Sequence, residues 1–152
     1  MIAVQRLTAE GFAPFGTAAL RPSMEATASG NTFTYWSDVA HFQIDGETEI
    51  GFCTVYAQDP AVVDWMERHD RTPELLVPID APFVLPVMTD DGAVEAFKVD
   101  LGRAVAIGQG VWHSACKPVG SAEATYFVIF RRGTPGDDVI KTDIEPIAID
   151  LV

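Results

Sequence analysis

Turn-formers interrupt this chain at short intervals. Ten prolines and twelve glycines leave little room for a long helix, because proline removes a helical hydrogen bond and glycine lowers helix stability. Between the breaks lie short runs rich in β-branched and aromatic residues: TFTYWSD, EIGFCTVYA, ELLVPID, PFVLPVM, VEAFKVD, RAVAIG and ATYFVIFRR. Such side chains suit a pleated, half-buried surface. Asp45-Gly46, Asp80-Ala81-Pro82, Asp90-Asp91-Gly92 and Gly108-Gln109-Gly110 separate the runs, and Asp91-Gly92 between two apolar stretches predicts a hairpin. Pro78 and Pro86 fall within strand patterns and are expected at edges, ends or bulges. Many short antiparallel strands at this spacing predict an all-β sandwich or barrel, in which closing the sheet removes exposed edges. One short early helix is expected with Thr8 as its N-cap, and a second brief turn near Asp59 to Val63. Arg21 to Asn31 lacks any apolar period and is expected as a mobile loop.

The length of 152 residues fits a single domain, residues 1–152, and 48% hydrophobic residues suffice for a core. A formal net charge of -12 repels phosphate backbones and anionic lipid, so no nucleic acid and no membrane surface is expected as a partner. The same field repels small anions at long range, so a small-molecule carboxylate substrate needs a local cation, either a metal or an arginine. Cys53 and Cys116 are too few for a disulfide scaffold and are expected as buried, reduced thiols. The opening MIAVQRLTAEGFAPFG carries no basic region followed by a long apolar stretch, and no apolar run approaches the roughly 20 residues of a membrane span. A cytoplasmic protein is expected.

Of the three histidines, His41 lies in the aromatic stretch Tyr35 to Phe42 and is expected at a core edge or dimer interface. The other two sit in more informative places. If Glu67 to His69 is extended, Glu67 and His69 share one face and Arg68 takes the other. Glu74 begins the next strand and can return toward the same interior. Further on, a strand runs into Gly108-Gln109-Gly110, and Val111, Trp112 and His113 follow at once. That tight reversal is expected to aim Trp112 and His113 inward, with Trp112 as a pocket wall. Two imidazoles and two carboxylates facing one cavity suit a divalent metal, or acid/base chemistry without one. Arg131 and Arg132 adjoin the apolar strand YFVIF, and alternation turns one of them inward, where a guanidinium can hold a carboxylate through a bidentate pair.

The spacing Glu67-x-His69, then Glu74, followed by Gly102 and Gly108-x-Gly110-x-x-His113, resembles the two short cupin motifs, with Glu67 standing where the first histidine would be. More narrowly, LTAEGFAPFG, MERHDRTPELLVPIDAPFVLPV, GQGVWHSACKP and YFVIFRRGTPGDD resemble the ureidoglycolate lyase family in order and spacing, over most of the chain. The resemblance implies a cupin-type antiparallel β-barrel, jelly-roll-like, with one or two short helices, assembled as a homodimer. It implies a carbon-nitrogen lyase that converts (S)-ureidoglycolate to glyoxylate and urea in allantoin and purine-nitrogen catabolism. A divalent metal, nickel or manganese, is implied with that activity, and His69, Glu74 and His113 are the expected ligands. Glu67, His69 and His113 are the expected catalytic residues. Arg131, which aligns with the family's arginine, and Trp112 are expected at the substrate. The chain departs from the family at Glu74, where Gln is usual, at Ser114, where a second histidine often stands, and at Phe130-Arg131-Arg132-Gly133, where Asp-Arg-Gly-Gly is usual. Two other classes stay open: an isomerase or epimerase of a small sugar acid, and a non-catalytic cupin that binds a small ligand.

Overall fold

A computed structural model describes residues 1–151. In chain order the strands are β1 (Ile2–Arg6), β2 (Gly16–Ala19), β3 (Ala28–Ser29), β4 (Thr34–Tyr35), β5 (Thr48–Tyr56), β6 (Val62–Arg68), β7 (Glu74–Pro78), β8 (Phe83–Met88), β9 (Val94–Val99), β10 (Ala104–Ile107), β11 (Trp112–His113), β12 (Lys117–Pro118), β13 (Glu123–Arg131) and β14 (Ile140–Asp150). The helices are one turn each, α1 (Ala9–Phe12) and α2 (Thr134–Asp137). A seven-stranded sheet, β11-β6-β14-β1-β9-β8-β12, faces a five-stranded sheet, β2-β10-β7-β13-β5. The all-β, barrel-like expectation holds, with one correction: β1 runs parallel to both β14 and β9. A strand that enters a sheet between two strands distant in sequence is not bound to the direction a hairpin imposes.

Short β11 bonds to β6 on one side and to β8 on the other. The larger sheet therefore closes into a ring, and the molecule has two cores. The first lies between the sheets, where Phe12 and Phe15 meet Phe97 with ring centroids 5.4 and 5.7 Å away. The second fills the ring with Val63, Met66, Val84, Ala96 and Ile149. Strand β8 is buried along nearly its whole length because its two faces serve different cores: Phe83, Leu85 and Val87 the first, Val84 and Met88 the second. That double coverage explains why PFVLPVM reads as an unbroken apolar run.

Several local expectations are met. The Gly11 N–H donates to Thr8 Oγ1 at 3.0 Å, capping α1. Asp91-Gly92 turns the chain between β8 and β9, with Gly92 at φ +88°. Pro78 ends β7. Pro86 lies inside β8, facing the break between β11 and β12, where its carbonyl accepts from the Ser114 N–H at 3.1 Å. Its missing donor is thus not needed by a neighbouring strand.

Other expectations need correcting. TFTYWSD forms a strand only at Thr34–Tyr35, which pairs with Ala28–Ser29 inside the segment expected as a loop. The turn expected near Asp59 to Val63 is a bend at residues 59 and 60, shorter than expected because strand β6 starts at Val62. His41 is not at a core edge: its side chain is 85% exposed and bonds to Asp38 at 2.8 Å. Strands β1, β2, β6 and β14 lie outside the runs picked by composition. β14 mixes charges with apolar residues and carries Pro146 at a register shift between Asp143 and Ile147. No helix is long and apolar enough to cross a membrane among the described residues.

Candidate functional site

Glu67, next to last in β6, pairs directly across from His113 of β11. Strand alternation carries His69 to the same face as Glu67 and turns Arg68 away, onto the Trp112 ring at 4.6 Å. From the opposite sheet, Glu74 opens β7 beside Ile107 of β10. The result is a buried cluster at one end of the inter-sheet core. His69 is 5% exposed, His113 4% and Glu74 8%. Glu67, at the mouth, is half-buried.

A single oxygen organises the cluster. Glu74 Oε2 lies 2.9 Å from Nε2 of His69 and 2.9 Å from Nε2 of His113. The outer nitrogens of both rings are already engaged: His69 Nδ1 donates to the Asp138 carbonyl at 2.8 Å, and His113 Nδ1 to the Val111 carbonyl at 3.0 Å. With Nδ1 carrying the hydrogen, a neutral ring turns the lone pair of its Nε2 toward the cluster. Two lone pairs against a carboxylate repel, so the arrangement calls for positive charge, either protons on the rings or a cation among them. His113 Nε2 meets Glu74 as an ion-pair contact at 2.9 Å, at an angle that falls short of a hydrogen bond. Protonated, it answers the Glu74 charge; neutral, its lone pair fits a metal ligand. One ligand atom each from Glu67, His69 and His113 lies within 4.8 Å of the others.

Electrostatics bear this out. Burial opposes charge on His69, but the hydrogen bond and negative charge of Glu74, the Asp138 carbonyl and the charge of Glu67 outweigh it, and the pKa rises above 6.5. His113 is likewise raised, as Glu74 and the Val111 carbonyl overcome burial and the repulsion of His69. Burial pushes the Glu74 carboxyl up, yet the two imidazoles pull it down to about 2.

The hollow above the cluster has a volume of about 380 Å³. Glu67, His69 and Glu74 form its polar end, and Val128, Phe130, Pro135 and Val139 its apolar wall. Lys141 supplies the cation at the rim. It lies across from Glu67 in the β14–β6 pairing, with its ammonium 4.9 Å from the Trp65 ring. A larger cleft of about 860 Å³ lies elsewhere and contains neither histidine.

The structure brings Glu67, His69, Glu74 and His113 together. It does not bring Arg131 or Trp112 to them. In β13 the even residues face the core, so Phe130 enters the hollow, its ring edge-on to His69 with centroids 5.6 Å apart. Arg131 therefore takes the other face and pairs with Asp137. Trp112 packs into the second core, on the far side of β11 from His113. The expectation that both residues after the glycine turn point inward fails because neighbours in a strand point to opposite faces.

Sequence reasoning missed Lys141 and Asp138, and met Phe130 only as a departure from the family pattern. Asp138, 5% exposed, not only holds His69 through its carbonyl but accepts the N–H groups of Asp70 and Arg71 at 3.0 and 2.9 Å with its carboxylate. It thereby shapes the loop between His69 and Glu74. Its position at the end of YFVIFRRGTPGDD was the one available signal. Cys116 is buried, which pushes its thiol well up and leaves it unreactive, and Cys53 is also free.

The family model described as Ureidoglycolate lyase matches residues 1–150. The chain is similar to the ureidoglycolate lyase of Rhodobacter capsulatus, 34% identical over 88% of this chain and 87% of that one. It is also similar to ureidoglycolate lyase 1 of Rhizobium meliloti, 29% identical over 91% and 86%. Among solved structures, a deletion mutant of Bacillus subtilis oxalate decarboxylase matches 65% of this chain and 24% of its own, with 17% identity and a TM-score of 0.48. This chain thus spans about a quarter of that structure's length.

Proposed function

The chain belongs to the ureidoglycolate lyase family, and from that premise we propose that the hollow at His69 and His113 splits (S)-ureidoglycolate into glyoxylate and urea. The observation that carries this reading is the convergence of both imidazole Nε2 atoms on the buried Glu74 carboxylate, beneath a hollow of small-molecule size.

The substrate carbon bears a hydroxyl, a carboxylate and a ureido nitrogen. The hydroxyl proton is removed, the C=O bond forms, and the C–N bonding pair leaves with the nitrogen, which takes up a proton to become urea. Glu67 at the mouth, 3.8 Å from His113 Nε2, accepts the hydroxyl proton. An imidazolium of His69 or His113, sustained by Glu74, donates to the departing nitrogen. Lys141 holds the substrate carboxylate, the part first assigned to Arg131. The apolar wall of Val128 and Phe130 lies beside the buried His69 and Glu74, where low water content strengthens their interactions.

A divalent metal, nickel or manganese, fits the donor set of Glu67, His69 and His113, with Glu74 beside them. When bound it supplies positive charge that lowers the pKa of the substrate hydroxyl.

A homodimer is proposed as well. No residue from 21 to 49 is buried, although the segment carries Met24, Phe33, Tyr35, Trp36 and Phe42. Directly after it, β5 exposes Ile50, Phe52 and Tyr56, at 68, 71 and 63%. An apolar surface of that extent marks an interface, and a second copy of the chain is the partner the family resemblance implies. The free cysteines suit a reducing compartment, which supports a cytoplasmic location.

The test is direct. The purified protein is incubated with ureidoglycolate, with and without nickel or manganese, and glyoxylate is followed. Turnover is expected, and His113→Ala should abolish it while leaving the far-UV spectrum unchanged. No glyoxylate under any metal condition overturns the assignment.

A further inference from the structure

The larger cleft, about 860 Å³, opens between β1 with the start of α1, the end of β2 and the segment joining β9 to β10. Its floor is apolar, with Val84, Val119 and Leu151. Its rim is basic. Arg6, Arg21, Lys98 and Arg103 line it, four of the ten lysines and arginines in a chain of net charge -12. Only Glu10 and Asp100 oppose them there, which leaves two positive charges in excess.

Lys98 pairs with Asp100 at 3.1 Å. Among the described residues, the side chains of Arg6, Arg21 and Arg103 have neither an ion pair nor a hydrogen bond. The guanidinium of Arg21 lies across Gly102: a Cβ built there would sit 3.2 Å from Nη2 and 3.5 Å from Nε. The glycine, at φ +80°, thus makes room for the Arg21 guanidinium in the cleft that Arg103, next in the chain, also lines. Bringing like charges together in a concave site is unfavourable by itself. A chain with so many carboxylates had partners at hand to neutralise them, yet these three face open space.

We propose that this cleft binds a small organic dianion, its two charges carried either by two carboxylates or by one phosphate. The guanidinium forks match either group through bidentate hydrogen bonds, the excess charge matches the ligand's, and the apolar floor receives a short carbon skeleton. This is a second site, separate from the histidine hollow, with which it shares no lining residue.

Isothermal titration of the full chain at low ionic strength, where screening is weakest, tests the proposal with succinate and with inorganic phosphate as probes. Saturable binding with a Kd below about 1 mM is expected for at least one, and the tighter probe identifies the group recognised. Arg21→Gln and Arg103→Gln should each weaken it by about tenfold or more, as removal of a charged hydrogen-bond partner does. His113→Ala should leave it unchanged, so the outcome stands apart from the fate of the lyase assignment. The proposal is overturned if neither anion binds saturably, if binding persists in the Arg21→Gln/Arg103→Gln double variant, or if His113→Ala abolishes it.

Discussion

The backbone N–H of Gly110 donates to the carbonyl of His69 at 2.7 Å. The turn that leads to one histidine is thereby pinned to the other histidine's own backbone. Gln109 adds a side-chain bond to the Asp70 carbonyl at 2.7 Å, and Asp138 holds the next two N–H groups. The imidazoles are therefore set by backbone contacts on their outer side, and their Nε2 atoms are left for chemistry.

The first prediction concerns pH. Glu74 titrates near 2 rather than 4.5, so its stabilising contribution is present above 4.5 and is lost as pH falls toward 2. His69 and His113 titrate above 6.5, so theirs is full below 6.5 and is lost as pH rises through the folded-state values. In the metal-free protein the cluster is most stabilising between those limits. Glu74→Gln removes the shared charge, so both histidine pKa values should fall and the dependence flatten. Urea unfolding from acid to alkaline pH, with NMR titration of the ring protons, checks this. Superimposable profiles for the two proteins would contradict it.

The second separates two cations. Arg131, largely buried, pairs with the half-exposed Asp137 away from the hollow, so Arg131→Ala should cost about 1–3 kcal/mol of stability and leave KM unchanged. Lys141→Ala should raise KM by about tenfold, the value of one charged contact. Steady-state kinetics decide. A raised KM in the arginine variant alone would return the carboxylate to Arg131.

Trp112 gives the third. It packs against the cluster that holds Met66, Val84 and Ala96 and carries the Arg68 guanidinium on its face. Trp112→Ala should cost about 3 kcal/mol, a fall in melting temperature of about 6–12 °C, with KM preserved at a temperature where the variant is folded. Calorimetry showing no loss of stability would place the ring outside the core.

The fourth tests association. Phe52→Asp puts a charge on the exposed face of β5 and should split the dimer without altering the histidine hollow on the other side of the sheets. Light scattering should report a dimer for the wild type and a monomer for the variant. A monomeric wild type at micromolar concentration would refute the assembly.

Much of the fold was written in local pattern. The runs that became β5, β7, β8, β9, β10 and β13 were legible because β-branched and aromatic residues alternate between turn signals. The shared face of Glu67 and His69, with Arg68 opposite, followed from the two-residue period of a strand. β14 was hidden because its exposed charges and Pro146 dilute the apolar signal, and with it went Lys141, which reaches the site only through pairing with β6.

What the sequence determined alone is which segments extend and which residues within a strand share a face, because both follow from sterics over a few neighbouring residues. Which face looks inward was decided by the tertiary structure. Phe130 rather than Arg131 meets His69, Trp112 turns from His113 into a second core, and Glu74 joins two imidazoles from distant strands. Those outcomes rest on the register between strands and on the closure of the larger sheet through β11, and register is chosen by the burial of the whole chain at once.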